Sequence, residues 1–177
     1  MFMLLSVQCT DRRAGEHALL SLLTKSGQQE VLMLQQVMDN VSRLTPERRK
    51  EFISELEATT GPANERLYSK LLFLKSYLPG SDKEAASRDM KKAIEIAEQL
   101  DEERLVAAYC YGYTFVLIRS KPDYRTAAPY AVKSLELQRK LGFDWFPNTQ
   151  EFKRIVAQIL YNTKNYTESI RYYRELL

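Results

Sequence analysis

Apolar residues recur every three or four positions through most of the chain. In the segment 28–43 the spaced positions are Val31, Leu34, Met38 and Val41. In the segment after Pro62 they are Leu67, Leu71, Leu74 and Leu78. This spacing places the apolar side chains on one face of an α-helix. No segment alternates apolar and polar residues over a sustained stretch between turn signals, so the sequence predicts an all-α fold.

Capping residues mark the starts of two of these helices. Thr45-Pro46-Glu47 predicts a helix start, because the threonine hydroxyl accepts an amide hydrogen bond and proline fits the first helical position. Ser81 or Asp82 can cap the helix that runs to Leu100 in the same way. Further helices are predicted over about 15–23, 103–118, 149–163 and 166–177.

One proline affects the expected start of another helix. Pro129 would cost about 3 kcal/mol in a helix interior, because it lacks an N–H group and its ring clashes with the preceding turn. We therefore expect this helix to begin at Thr126, which moves the proline into the first turn. Gly142 is expected to end the same helix after Leu141.

Two stretches of the chain are repeated at a nearly constant offset. Residues 133–142 resemble residues 92–101 with an offset of 41, and the turn and helix around Tyr124 recur around Tyr166 with an offset of 42. A fixed period of helical segments is typical of stacked helical hairpins, because one hairpin cannot bury its apolar face alone. The sequence thus predicts an N-terminal tail or signal remnant over 1–14, N-terminal helices over 15–62, and repeats over 63–102, 103–142 and 148–177.

The last repeat has a characteristic set of small, apolar and aromatic residues. They are Val156, Ala157, Leu160, Asn165, Tyr166, Ser169, Ile170, Tyr173 and Leu176. This set resembles a tetratricopeptide repeat, a helix-turn-helix unit that stacks into right-handed solenoids. The resemblance implies that the helices cross closely at Ala157 and Ser169, and that Tyr166 and Tyr173 fill the space between hairpins.

The two earlier repeats are similar to the same family. Residues at second-helix places are Tyr124, Ala127, Ala131 and Ser134 in one repeat and Ala86, Met90 and Ala93 in the other. Either Gly112 or Thr114 could be the small crossing residue of the middle repeat. The period of 41 to 42 looks like that of elongated tetratricopeptide variants, and it also falls within the range of HEAT and armadillo repeats. The resemblance implies a right-handed α-solenoid.

Composition narrows the possible functions. Hydrophobic residues make up 45% and charged residues 28% of the 177 residues, as is common in soluble globular proteins. The net charge of +3 is too small to indicate a nucleic-acid partner. The single histidine, His17, and two distant cysteines do not make a zinc site, and no nucleophile elbow or phosphate-binding glycine loop is present. We therefore expect a protein that is not an enzyme, with no catalytic residue, metal, cofactor or small-molecule substrate.

The two cysteines lie in different contexts. Cys110 lies in an apolar helical stretch and is expected to be a small core residue. Cys9 follows the short apolar run MFMLLSVQ and looks like the end of a bacterial lipoprotein signal, in which a cysteine is acylated. A cytoplasmic location is expected, with an exported lipoprotein acylated at Cys9 as the alternative. No segment has the roughly 18 consecutive apolar residues of a membrane span.

Tyrosines and one polar helix face are the candidate binding residues. Tyr109 and Tyr113 lie one turn apart, where they could contact a partner or pack between hairpins, since tyrosine suits both places. The family's groove positions fall on Glu151, Arg154, Gln158, Tyr161 and Asn162. This mixed polar face could hydrogen-bond a peptide; plain solvent exposure, or cover by a following repeat, is the alternative.

These observations favour a protein-interaction scaffold without chemistry of its own. We expect its concave surface to bind a peptide or a partner helix. The alternative is the sensory or regulatory domain of a longer bacterial signalling or transcription-regulator protein. Self-association through the last repeat is a further expectation, because solenoid ends need polar caps and none follows Leu177.

Overall fold

The computed structural model describes residues 21, 23–24, 29–60, 63–77, 82–119, 121–146 and 148–176. The regular structure in these ranges is entirely helical, with eight α-helices and one short 3-10 helix, so the all-α prediction is confirmed. The α-helices are α1 (Glu30–Ser42), α2 (Pro46–Thr59), α3 (Glu65–Tyr77), α4 (Lys83–Gln99), α5 (Glu103–Ile118), α6 (Tyr124–Leu141), α7 (Thr149–Asn162) and α8 (Tyr166–Arg174). The 3-10 helix spans Phe143–Trp145. The expected N-terminal tail, Cys9 and His17 lie outside the described residues.

The predicted caps are present at two helix starts. The hydroxyl of Thr45 accepts a hydrogen bond from the amide of Arg48 at 3.4 Å. The carboxylate of Asp82 accepts one from the amide of Ala85 at 2.8 Å. Each bond satisfies an amide that has no partner within the first helical turn, which is why α2 and α4 begin where they do.

The expected start of α6 at Thr126 is wrong by two residues. The helix begins at Tyr124, because the carboxylate of Asp123 accepts a hydrogen bond from the Thr126 amide at 3.0 Å. This cap places Pro129 inside the helix, beyond the first turn. The proline is exposed, so water can reach the carbonyl that its missing N–H leaves without a helical donor. The predicted end is confirmed, and Gly142 ends α6 with a φ of 94° that glycine adopts without strain.

Consecutive helices pack into hairpins. Helix α3 packs against α4, α5 against α6, and α7 against α8. Each hairpin also contacts the next, because α4 packs against α5 and α6 against α7. Helix α3 contacts α5 directly, so first helices of neighbouring hairpins are adjacent.

The contacts between these first helices recur along the chain. Phe73 of α3 contacts Tyr109 of α5, with ring centroids 4.9 Å apart. Phe115 of α5 stacks on Phe152 of α7, with ring centroids 6.3 Å apart. The second pair lies 42 and 43 positions after the first. The same places on successive helices therefore make the same kind of contact.

The second helices of the hairpins show a matching recurrence. Glu98 of α4 forms an ion pair with Lys133 of α6. Arg139 of α6 forms an ion pair at 2.7 Å with Glu175, which directly follows α8. The later pair lies 41 and 42 positions after the earlier one, with the charges exchanged. Both layers of helices thus repeat with the period found in the sequence.

The predicted close crossing in the last hairpin is observed. The hydroxyl of Ser169 donates a hydrogen bond to the carbonyl of Ala157 at 2.8 Å. Small side chains at both positions let the two backbones approach each other.

The middle hairpin has its own crossing contact. The hydroxyl of Ser134 donates to the carbonyl of Ala107 at 2.7 Å. Gly112 and Thr114, the residues expected at this crossing, are buried, and the Thr114 hydroxyl bonds to its own helix at the Cys110 carbonyl. The observed contact therefore lies nearer the start of α5 than the sequence suggested.

The expectation that Tyr166 and Tyr173 fill the space between hairpins is wrong. Their exposed fractions are 50% and 42%, whereas Tyr172 is fully buried. Neighbouring residues on a helix point about 100° apart, so a shift of one position moves a side chain from core to surface.

None of the described helices is long and apolar enough to span a membrane.

Candidate protein-interaction surfaces

Two of the candidate binding residues are core residues. Tyr109 and Tyr113 are fully buried. The hydroxyl of Tyr109 lies 3.0 Å from that of Ser69, and the hydroxyl of Tyr113 lies 2.5 Å from that of Ser87. Burial raises the pKa of Tyr109 far above its usual value, so the phenol remains a neutral hydrogen-bonding group. Neither tyrosine presents a surface to a partner, so of the two alternatives that the sequence left open, packing in the core is the one observed.

The other five candidates lie together on α7. Glu151, Arg154, Gln158, Tyr161 and Asn162 are all exposed. Their spacing of three and four residues places them on one side of the helix. The structure thus presents these candidates as one continuous stripe, open to solvent.

The stripe contains internal polar contacts. Arg154 forms an ion pair with Glu151, with its Nε 3.0 Å from a carboxylate oxygen. This hydrogen bond lowers the pKa of Glu151 and raises that of Arg154. The side-chain amide of Asn162 donates to the carbonyl of Gln158 at 2.8 Å. Guanidinium and amide groups of this kind can bind carboxylates and main-chain carbonyls of a peptide.

Large apolar side chains of α8 extend this stripe. Tyr161 is 60% exposed and packs edge to face against Tyr166, with ring centroids 5.4 Å apart. Ile170 is 50% exposed, and Tyr173 lies close enough to Arg154 to influence its pKa. We call this surface the terminal face; its members are Arg154, Gln158, Tyr161, Tyr166, Ile170 and Tyr173. Contiguous exposed apolar groups with a polar edge are typical of a protein-binding surface.

The terminal face corresponds to a buried contact one hairpin earlier. On α5, Tyr111 and Phe115 pack against Phe152 of α7, with ring centroids 4.7 and 6.3 Å apart. The positions 43 residues later are Arg154 and Gln158, which are exposed. Each earlier hairpin thus uses this side to contact its neighbour, and the last described hairpin presents it to solvent. Self-association through this face stays a prediction.

A second surface is buried beneath α1. Glu30, the first residue of α1, is 3% exposed. Its carboxylate lies 2.6 Å from the guanidinium of Arg66 and 2.6 Å from the ammonium of Lys70, both on α3. Arg66 also binds Glu102 at 2.8 Å, and Lys70 donates to the carbonyl of Leu23 at 2.7 Å. Two acids and two bases therefore join α1, α3 and the start of α5.

The pKa shifts in this cluster follow from burial and charge. Burial is the largest influence on Lys70 and lowers its pKa, although the hydrogen bond with Glu30 acts in the opposite direction. Burial also acts to lower the pKa of Arg66, but the hydrogen bond with Glu102 and the charge of Glu30 outweigh it, and that pKa is raised. Each base therefore lies against a carboxylate that can balance its charge.

Helix α1 lies over the first helices of the hairpins. Ala108 and Tyr111 of α5 line a narrow cavity together with residues of α1. Tyr113 contacts Ser87 of α4 and Tyr130 of α6 instead, and it lies two positions after Tyr111, on nearly the opposite side of α5. The surface that α1 covers, which we call the inner face, is therefore opposite the layer formed by α4 and α6.

The residues that the structure describes contain no cluster of His, Cys, Asp and Glu that could hold a metal ion. Cys110 is buried, and burial raises the pKa of its thiol to about 12.

Comparison of the chain with family models, curated proteins and solved structures finds no significant match.

Proposed function

We propose that this protein is a non-enzymatic interaction scaffold, built from stacked helical hairpins of the tetratricopeptide type, which binds a protein or peptide partner. The observation that carries the proposal is the terminal face. It is an exposed aromatic and polar surface at the place where the preceding hairpin is covered by a neighbour.

The recurring contacts support the stacked arrangement. The ring contacts of the first helices and the ion pairs of the second helices both repeat after 41 to 43 positions. In a stack each hairpin uses the same residues toward the next one, so contacts recur at the repeat period. The recurrence in two separate sets of helices supports a stack of hairpins over a closed bundle, and we propose the right-handed solenoid that the resemblance implies.

The composition of the terminal face supports binding. Tyrosine and arginine are the residues that most often dominate binding energy at protein interfaces, because they combine large area with directional hydrogen bonds. Tyr161 and Tyr166 pack edge to face within it, and the Arg154 guanidinium is held by Glu151. A partner helix or peptide with an apolar centre and an acidic or carbonyl-rich edge would match this surface.

A capture experiment with matched variants tests the proposal. The tagged full chain is compared with a variant that replaces four exposed α7 residues by alanine: R154A, Q158A, Y161A and N162A. The control variant replaces four exposed α4 residues by alanine: K91A, K92A, E95A and Q99A. Circular dichroism melting establishes that all three proteins are folded.

The proposal expects one partner to be retained by the full chain and by the α4 variant. The same partner is expected to be lost from the α7 variant, by about tenfold or more in affinity, because several hot-spot side chains are removed together. A partner that is retained equally by both variants contradicts the assignment of the terminal face.

A further inference from the structure

The attachment of α1 to the inner face depends on charge. Glu30, at the start of α1, is held between Arg66 and Lys70, which lie four residues apart on α3. Glu30 and Lys70 each expose only 3% of their side chains. Without an acid in this place, the ammonium of Lys70 and the guanidinium of Arg66 would lie next to each other in a largely dry site, and Arg66 would keep its ion pair with Glu102. Such a surface selects a helix that begins with a carboxylate and rejects one that begins with a base.

The interface between α1 and α5 is incompletely packed. A cavity of ≈ 20 Å³, with room for about one water molecule, lies between α1 and α5. Phe73, Tyr111 and Phe146 contribute apolar surface to it. On the α1 side Gln35 also borders it, with an amide that donates to Asp39 at 2.9 Å. Of the four α1 residues that line the cavity, Val31, Leu34 and Met38 are apolar and Gln35 is polar; Gln138 of α6 is polar on the other side.

We propose that α1 is an internal ligand of the inner face, and that a second partner, distinct from that of the terminal face, is an amphipathic helix of the same chemistry that displaces α1. The partner helix carries a glutamate in its first turn, for Arg66 and Lys70. Apolar residues follow one, four and eight positions after this glutamate, as Val31, Leu34 and Met38 do in α1.

The fifth position after the glutamate distinguishes the partner from α1. An apolar side chain at this position fills the cavity that Gln35 leaves. The partner helix therefore has a higher affinity for the inner face than an untethered α1 helix would have. Because α1 is tethered, it acts at a high effective concentration, and only a ligand with a better fit displaces it. This inference goes beyond the proposed function, because it assigns a second partner to a different surface.

Three synthetic peptides test the inference against the full chain. The first has the α1 sequence of residues 29–43, the second carries the change Gln35→Leu, and the third carries Glu30→Lys together with Gln35→Leu. Each is labelled with a fluorophore and titrated with the wild-type chain and with a full-length Leu34→Asp variant. The aspartate places an unpaired charge where Leu34 is buried, so α1 is loosened.

The Gln35→Leu peptide is expected to bind the Leu34→Asp chain about tenfold or more tightly than it binds the wild-type chain, because the internal competitor is weakened. It is expected to bind more tightly than the native α1 peptide, and the lysine-led peptide is expected to bind neither chain. Equal binding of the glutamate-led and lysine-led peptides overturns the inference. Failure of the Gln35→Leu peptide to bind either chain also overturns it.

A second variant decides the matter if the Leu34→Asp chain does not fold. In the full-length Gln35→Leu variant, α1 is expected to bind the inner face more tightly and so to compete more strongly. This variant is therefore expected to bind the labelled Gln35→Leu peptide about tenfold more weakly than the wild-type chain does. Equal affinity, or no binding to the wild-type chain, overturns the inference. The peptides probe the inner face and the capture experiment probes Arg154 and Tyr161 on the terminal face, so the two proposals fail separately.

Discussion

The carboxylate of Glu30 lies 2.6 Å from the ammonium of Lys70, and both side chains are 3% exposed. Burial of a charge is costly unless the charge is paired, and breaking a buried pair leaves the other ion without a counter-charge. The pair therefore determines how α1 is held, since Glu30 belongs to α1 and Lys70 to α3.

Removal of the Glu30 charge is expected to destabilise the fold strongly. We expect Glu30→Gln to lower the free energy of unfolding by about 3–5 kcal/mol, because Lys70 and Arg66 lose their shared acid. Urea denaturation followed by circular dichroism measures this change. The double variant Glu30→Leu with Lys70→Met is the control, and it is expected to recover most of the loss. A Glu30→Gln protein as stable as the wild type would show that the pair does not hold α1.

The buried lysine is expected to titrate before two surface lysines. Burial lowers the pKa of Lys70 below 10.5, whereas hydrogen bonds with Glu57 and Glu98 raise those of Lys75 and Lys133 above it. Between its native pKa and 10.5, Lys70 holds fewer protons in the folded than in the unfolded state, so its contribution to stability rises with pH. Lys75 and Lys133 act in the opposite direction above 10.5.

Carbon-13 NMR of lysine Cε atoms measures these titrations directly. Assignment by single Lys→Arg variants identifies each signal. The expected order of deprotonation with rising pH is Lys70 first, then the other two. Deprotonation of Lys70 after Lys75 would contradict its burial against α1.

The thiol of Cys110 is expected to be unreactive in the folded protein. Burial raises its pKa to about 12, so the nucleophilic thiolate is scarce at pH 8. In a Cys9→Ser background, labelling with a thiol reagent should be slow in buffer and rapid in denaturant. The Cys110→Ala variant provides the blank. Rapid labelling of the native protein would show that α5 is exposed to solvent.

Replacement of the proline inside α6 is expected to stabilise the protein. Pro129 lies beyond the first turn and is exposed, so Pro129→Ala restores a helical hydrogen bond without disturbing the core. The gain is expected to be about 1–3 kcal/mol in the free energy of unfolding. Thermal melting measures it, with Pro122→Ala in the preceding loop as the control, for which no gain is expected. A loss of stability on Pro129→Ala would indicate that the proline has a packing role.

Local signals in the sequence predict the helices well. The caps at Thr45 and Asp82 and the end at Gly142 each depend on a few neighbouring residues, so they can be recognised without tertiary information. The same reasoning misplaced the start of α6, because Asp123 caps the helix two residues earlier and Pro129, now beyond the first turn, is exposed. The exposure of this proline is a tertiary feature that the sequence does not contain.

The candidate surfaces were predictable only in part. The α7 stripe coincides with the groove positions of the tetratricopeptide repeat that the sequence resembles, and all five of its residues are exposed. The burial of Tyr109 and Tyr113 depends on Ser69 and Ser87 from other helices, at separations that periodicity does not reveal. The sequence also does not reveal that Tyr172, and not Tyr173, is the buried tyrosine of α8.

The cluster around Glu30 was missed although the sequence contains a signal for it. Glu30 lies four residues before Leu34, on the apolar side of its helix, where a charge is unusual. Arg66 and Lys70 likewise lie on the apolar side of their helix, one turn apart on α3. Charges of opposite sign within two apolar stripes indicate a buried ion pair between the helices, and this pattern could be sought in other helical chains.

Distances between three equivalent surface positions test the stacked arrangement most directly. Arg88, Pro129 and Arg171 are exposed, lie on α4, α6 and α8, and are related by offsets of 41 and 42. Spin labels are attached to cysteine pairs at these positions in a Cys9→Ser background, and electron–electron distances are measured. In a stack, successive helices are displaced in one direction, by about 8–10 Å per packed pair. The distance from 88 to 171 is then expected to approach the sum of the distances from 88 to 129 and from 129 to 171. A distance from 88 to 171 no longer than either of the other two would mean that the helices close into a bundle and would contradict the stack.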